Sequence, residues 1–198
     1  MAGSPQRHRL AVLLAGLALR VFSPTAAAAT GLHPSQAAVL AECQGQWRSQ
    51  LRGWSKGGDC AQVEGVRCNA AGFIVSLNVT GRNLTGPIPH SLWNLTTLTQ
   101  LDLTNNWLSG SIPAAIAGIA ALRILRLYSN NLDGEIPRAI ARLTGLEELS
   151  LGLNFHITGS IPQEMERLTN LRYINLFMMD LEGPFPFWIS GRTKLTHL

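Results

Sequence analysis

The sequence predicts an α/β repeat solenoid: parallel strands contributed one per coil, with a helical segment ahead of them. Three observations carry this reading. One pattern recurs along the chain, as LNVTGRNLTGPIP (77–89), LDLTNNWLSGSIP (101–113), LRLYSNNLDGEIP (125–137), LSLGLNFHITGSIP (149–162) and INLFMMDLEGPFP (174–186). The units start at Ile74, Leu98, Leu122, Leu146, Leu171 and Leu195, spaced by 24, 24, 24, 25 and 24 residues, and a fixed period of this size means stacked coils. Each unit opens with an apolar pair in alternation, which suits a strand. It then breaks, runs through a second short extended piece, and ends in a Pro that stops strand and helix alike.

The elements follow in order from the N-terminus. At 198 residues the chain suits one domain. Residues 1–29 begin with basic Arg7, His8 and Arg9, continue in an apolar run from Leu10, and end in the small residues Ala26 to Ala29. This is the pattern of a cleaved secretory signal peptide, because Arg20 interrupts a run already short for a membrane span. No other apolar stretch is long enough to cross a bilayer. The formal charge of +4 comes from 16 Lys+Arg against 12 Asp+Glu, and Arg7, Arg9 and Arg20 leave with the signal, so 13 face 12 in the remainder. No basic stripe survives, and nucleic acid is excluded as a partner.

Residues 30–72 are expected to form an N-terminal cap. SQAAVLAECQGQW reads as helix. In an exported chain disulfides persist, and Cys60 and Cys68 close the nine-residue loop CAQVEGVRC, worth about 2.5 kcal/mol in the chain-entropy account. Cys43 is left over and reads as a small buried hydrophobe, with an intermolecular bridge as the alternative.

Residues 73–198 hold the repeats, five complete and a sixth begun by LTHL. The apolar pair of each strand points inward while the residues around it face solvent. Asn106, Asn130 and Asn154 end their strands, where a buried amide satisfies main-chain groups of neighbouring coils. Gly110, Gly134 and Gly159 permit backbone angles that other residues avoid, and each coil covers its apolar edge by stacking on the next.

The pattern LxxLxLxxNxLxGxIP, with its LSGSIP, LDGEIP and ITGSIP segments, resembles the plant-type leucine-rich repeat over residues 74 to 198. GWSKGGDCAQVEGVRC resembles the N-terminal cap of the same proteins. The resemblance implies a curved, right-handed leucine-rich-repeat coil with a parallel concave sheet and a helical, disulfide-bonded cap whose helix spans 35–50. It points to ectodomains of plant receptor-like kinases and receptor-like proteins, of which this chain would be the N-terminal part, and to polygalacturonase-inhibiting proteins. A membrane span and kinase beyond Leu198 would mark the first, a closing cap the second. Departures carry their own expectations. Arg82 and Met179 replace the ladder Asn in the first and fifth units. Val63 stands where the cap usually has Trp, which should loosen it. The extra residue in NFHI (154–157) should make Phe155 or His156 bulge, and an open last coil should leave Leu176, Leu181 and Ile189 partly covered.

Catalytic chemistry finds no support. GWSKG (53–57) matches a nucleophile-elbow pattern around Ser55, but that motif needs a strand before it and a helix after it, and here a helix precedes and a disulfide loop follows. Cys60 and Cys68 lack metal-ligand spacing; His33, His90, His156 and His197 are scattered; GRTKL (191–195) is no phosphate loop. The expectation is therefore no enzyme, no cofactor and no metal.

Recognition is better supported. Sequons at Asn78, Asn83 and Asn94 mark surface positions in an exported chain, Asn83 and Asn94 away from the strand face and Asn78 on it, where a glycan or an unmodified Asn remain alternatives. The outward strand positions form three columns. The first is Ser76, Gln100, Ile124, Glu148 and Tyr173; the second Asn78, Asp102, Arg126, Ser150 and Asn175; the third Thr80, Thr104, Tyr128, Gly152 and Phe177. Tyr128, Tyr173 and Phe177 beside Arg126 have the composition of a recognition surface, with Gln100, Asp102, Glu148 and Asn175 completing it. The expected ligand is a peptide or protein, with a co-receptor or a cell-wall hydrolase as further partners. The expected location is extracellular, at the cell wall or surface, or on the plasma membrane if a longer form carries a span.

Overall fold

A computed structural model describes residues 31–47, 51–54 and 58–196; the signal segment 1–29, Ser55 and His197 lie outside these. The first element is helix α1 (Pro34–Trp47). Proline suits its first turn, where an amide donor would have no partner. Gln36, Val39, Leu40, Cys43 and Trp47 recur on one face and are buried, which fixes how the helix lies on the first coils. Its polar groups are anchored as well: Gln36 Oε1 accepts from Ile74 N–H at 2.6 Å, and Trp47 Nε1 donates to Pro87 O at 3.0 Å.

Behind it, a 3-10 turn (Cys60–Gln62) capped by Asp59 leads to strand β1 (Val66–Cys68), and the Cys60–Cys68 disulfide ties the two. Val63 is 4% exposed and belongs to the same core as Trp54, so the cap is closed at this position despite the smaller side chain. Trp54 is fully buried and sends its Nε1–H to Glu64 O at 2.8 Å.

Five coils follow. Their leading strands are β2 (Ile74–Asn78), β4 (Gln100–Asp102), β6 (Ile124–Arg126), β8 (Glu148–Ser150) and β10 (Tyr173–Asn175). With β1 they form a six-stranded concave sheet in the order β1-β2-β4-β6-β8-β10, parallel except that β1 runs against β2. The second extended pieces pair too. β3 (Thr85–Pro87), β5 (Trp107–Ser111), β7 (Asn131–Glu135) and β9 (His156–Thr158) make a separate parallel sheet. Gly134 has φ +75°, and a Cβ there would stand 3.1 Å from Ser111 of the preceding strand, so glycine serves both the backbone and the strand spacing. After each Pro a 3-10 turn closes the coil, as at His90–Asn94, Ala114–Gly118, Arg138–Arg142 and Gln163–Arg167.

The core is one stack of Leu and Ile from every coil, continuous with the cap. The Asn ladder stitches it. Asn130 Nδ2 donates to Leu127 O and to Leu103 O of the preceding coil, while its Oδ1 accepts from Leu108 N–H. Asn106 and Asn154 do the same one coil away, and the ladder is absent at Arg82 and Met179. The extra residue of the fourth coil is absorbed by Phe155, which projects into solvent. At the far end Leu176 and Leu181 are half-buried as expected, but Ile189 is 6% exposed. The chain from Ser190 turns back beside it, where Thr196 N–H donates to Arg172 O at 2.8 Å. Among the described residues no helix is long and apolar enough to cross a membrane.

Candidate functional site

Strand register places the three outward columns side by side. Ser76, Gln100, Ile124, Glu148 and Tyr173 stand in line across β2 to β10, and Asn78, Asp102, Arg126, Ser150 and Asn175 form the next line. The third column leaves the strands, and its main chain still pairs coil to coil, with Asn105 N–H donating to Tyr128 O and Leu153 N–H to Phe177 O.

The centre is an ion network. Arg126 makes a two-pronged contact with Glu148, Nε to Oε1 at 2.5 Å and Nη2 to Oε2 at 2.7 Å, and its Nη1 reaches Asp102 Oδ2 at 3.3 Å. The hydrogen bonds it donates to Glu148, followed by the attraction of both carboxylates, hold the guanidinium protonated well above its ordinary range, against the opposing effect of burial. Asp102 is only 5% exposed, and its second oxygen accepts from Thr80 Oγ1 and Thr104 N–H, both at 3.1 Å. Asp102 and Arg126 therefore brace the face, and the charge of Arg126 is already answered by two carboxylates.

Around this network the side chains reach solvent. Phe177 is 63% exposed, and Tyr128, Tyr173 and Asn175 are half-buried with their outer parts accessible. Asn175 ties the group together, donating through Nδ2 to Tyr173 Oη at 3.2 Å and accepting from Phe177 N–H at 3.0 Å. Gly152 lies between Tyr128 and Phe177 in the column and admits no side chain, since a Cβ would stand 2.5 Å from Asn175 Oδ1 and 2.8 Å from Phe177 O. Gln100 accepts from Ser76 Oγ at 3.4 Å. The sequon residues Asn78, Asn83 and Asn94 are all exposed, the first on β2, the second in the turn after it with φ +53°, the third ending the 3-10 turn His90–Asn94.

Sequence reasoning did not find two features. Trp107, Met178, Phe185 and Phe187 are exposed apolar side chains, and Phe185 lines a cavity together with Tyr173, Asn175 and Phe177; a Phe in place of Ile in GPFP was the signal for one of them. The cap also contributes β1 and a polar cavity to the concave sheet, for which the short VRC stretch (66–68) was the only hint. No group of three His, Cys, Asp or Glu among the described residues is placed to hold a metal ion.

Comparisons with known proteins agree with this architecture. The pattern described as Leucine Rich Repeat matches residues 97–119 and 121–143. No curated protein matches the chain. Among solved structures, a chain of the BIR3–SERK2 complex from Arabidopsis thaliana is 32% identical, covering 80% of this chain and 86% of that one, with a TM-score of 0.65. The BIR2 ectodomain from Arabidopsis thaliana is 25% identical over 83% of this chain and 98% of its own, with a TM-score of 0.68. PEPR1, in its complex with AtPEP1, is 38% identical over 62% of this chain, with a TM-score of 0.59; the match spans only 17% of PEPR1.

Proposed function

Since the chain belongs to the plant-type leucine-rich-repeat proteins, we propose that it is an extracellular recognition module that binds a peptide or protein ligand on its concave sheet, as a receptor ectodomain does. The role is binding, without catalysis and without a cofactor. The observation that carries the reading is the row of accessible rings and amides, Tyr128, Tyr173, Asn175 and Phe177, set beside an ion network that holds the strands in place. Rigid aromatic side chains give contact area at low entropic cost, and polar groups at fixed spacing supply orientation. The complexes formed by PEPR1 with AtPEP1 and by BIR3 with SERK2 support a ligand and a co-receptor as the classes of partner.

A glycan wedge tests it. The pair Tyr173→Asn and Asn175→Thr creates a sequon across Ile174 on the accessible part of the face, whereas a side chain at Gly152 would collide with Phe177 O. Peptides selected from a displayed random library on the native protein should lose binding to the glycosylated variant and to Tyr128→Ala. Selected peptides that bind both variants at native affinity would refute the concave-face assignment.

A further inference from the structure

The cap strand adds a charged subsite that the repeats alone do not make. In β1, Arg67 stands opposite Ser76 of β2, so the first outward column begins one strand earlier and runs from Arg67 through Ser76 and Gln100 to Glu148 and Tyr173. Beside its start lies an open polar cavity of about 750 Å³, lined by Arg52, Glu64, Arg67, Ser76, Asn78 and Gln100 among others. Glu64 is already engaged: it pairs with Arg82 at 2.7 Å and accepts from the Arg52 main-chain N–H at 3.0 Å. The guanidinium groups of Arg52 and Arg67 have no acidic partner among the described residues. The cavity is thus positive, with hydroxyl and amide groups at its floor.

Further along the same column the sign reverses. Arg126 answers two carboxylates, Asp102 and Glu148, which leaves one formal negative charge, and Glu148 is the more accessible of the two. Tyr173 follows on the next strand. The face is therefore ordered: positive at the cap, negative at the centre, aromatic at the far end.

We propose that the cap-side cavity binds a carboxylate, and that the peptide taken by the concave face carries this acidic group about six residues from a basic one. The proposal rests on the concave-face reading above. The spacing follows from the sheet: β1 to β8 is four strand steps of about 4.8 Å, or about 19 Å, which an extended chain covers in about six residues at about 3.3 Å each. The acidic group lies over Arg52 and Arg67, the basic group over Glu148, and an aromatic residue next to the basic one meets Tyr173. A peptide is favoured over an acidic sugar because the cavity opens onto this column rather than ending as a closed basin, and the charge beyond it is of opposite sign. Asn78 lines the same cavity, so a glycan on it would fill the carboxylate's place.

The test uses the Asn78→Gln protein throughout, with two capped probes, acetyl-DSASASKF-amide and its reverse-order sequence, in an NMR titration. At least one probe should shift amides of β1, β2, β8 and β10. Replacing the probe's Asp by Asn, or Arg52 and Arg67 by Gln, should each weaken binding by about three- to fivefold, the range of exposed ion pairs, without adding to one another. The loss should shrink as salt rises from about 50 mM to about 500 mM. Shifts on the concave strands with an affinity indifferent to both changes would overturn the carboxylate subsite and leave the concave-face reading standing. Shifts confined to other surfaces would overturn both. Absence of peptide binding up to about 10 mM, with arginine-dependent binding of trigalacturonate, would assign the cavity to an acidic sugar and refute the peptide proposal, and absence of binding by either probe class would refute the subsite outright.

Discussion

Replacing Asn154 by Ala should cost this protein about 3 kcal/mol, a large share of what holds a domain of this size together. Asn154 is fully buried. Its Nδ2 donates to Leu151 O at 2.6 Å and Leu127 O at 3.0 Å, and its Oδ1 accepts from Leu132 N–H at 3.0 Å. Alanine leaves those three main-chain groups without a partner, each at a cost of about 1–3 kcal/mol, and a single water entering the void could restore two of them. One group left unpaired at about 2 kcal/mol and about 1 kcal/mol for ordering the water give about 3 kcal/mol rather than the sum of three full penalties. Urea unfolding followed by circular dichroism reads the shift of the midpoint, and amide exchange reads the cause, because the Leu132 N–H should lose protection beyond that of its neighbours. Asn130→Ala should behave alike, as its bonds have the same pattern one coil earlier. A variant within about 0.5 kcal/mol of the native protein, with Leu132 still protected, would refute the claim that the ladder joins the coils.

Two further outcomes follow from single residues. The Cys43 thiol is fully buried, and burial, assisted by the charge of Glu42, pushes its pKa up to about 12 from an ordinary 9.0. Below pH 9 the thiol is protonated in both states; between pH 9 and 12 the unfolded chain loses a proton that the folded chain keeps, so stability falls as pH rises, by about 1.4 kcal/mol per unit. Cys43→Ala should remove that part of the alkaline slope, and a thiol reagent at pH 9 should label the native protein only at the rate of unfolding; fast labelling would contradict the burial. Met178 has φ +53° while its side chain is largely exposed. Met178→Asn should therefore raise stability by about 0.5–1 kcal/mol and Met178→Ile lower it, which thermal melts decide.

The coil was legible because its signals are local and repeated. The spacing of Leu101, Leu103 and Leu108 recurs in every unit but the fourth, which has one extra residue, and a Gly at the Gly110 position recurs in all five, with the Asn106 position kept in the middle three, so one unit predicts the next. The second sheet was visible only as extended pieces, since a single TGP or HIT gives no sign of what it pairs with; the pairing follows from the stack, which puts Thr85 against Trp107 and Asp133 against His156. The left-handed residue before the ladder was hidden, because Asn105 suits that conformation while Ser129, Leu153 and Met178 do not, and all four adopt it. Their coils impose it through the main-chain bonds to the next coil, such as Leu153 N–H to Phe177 O. The sequence showed which residues share the concave face but not which of them are free, as the engagement of Arg126 is a matter of side-chain reach across two strands.

This division of labour gives the surface its logic. In the solenoid every inward residue is fixed by the coil before and after it, so Leu101, Leu125 and Leu149 are all fully buried and interchangeable in role. The outward residues carry no such duty, and their identity changes from Gln100 to Ile124 to Glu148 to Tyr173 along a single column. On that face Arg126 finds carboxylates one strand away on either side, whereas Arg52 and Arg67 at the cap have no acidic partner among the described residues and are exposed to water. Among the described residues, unpaired positive charge beside the concave sheet therefore lies where the repeat meets the cap, at the junction where antiparallel β1 joins the parallel strands. The residues best placed to discriminate between ligands are accordingly the accessible ones at the two ends of the face, Arg52 and Arg67 at the cap and Tyr173 and Phe177 at the other end.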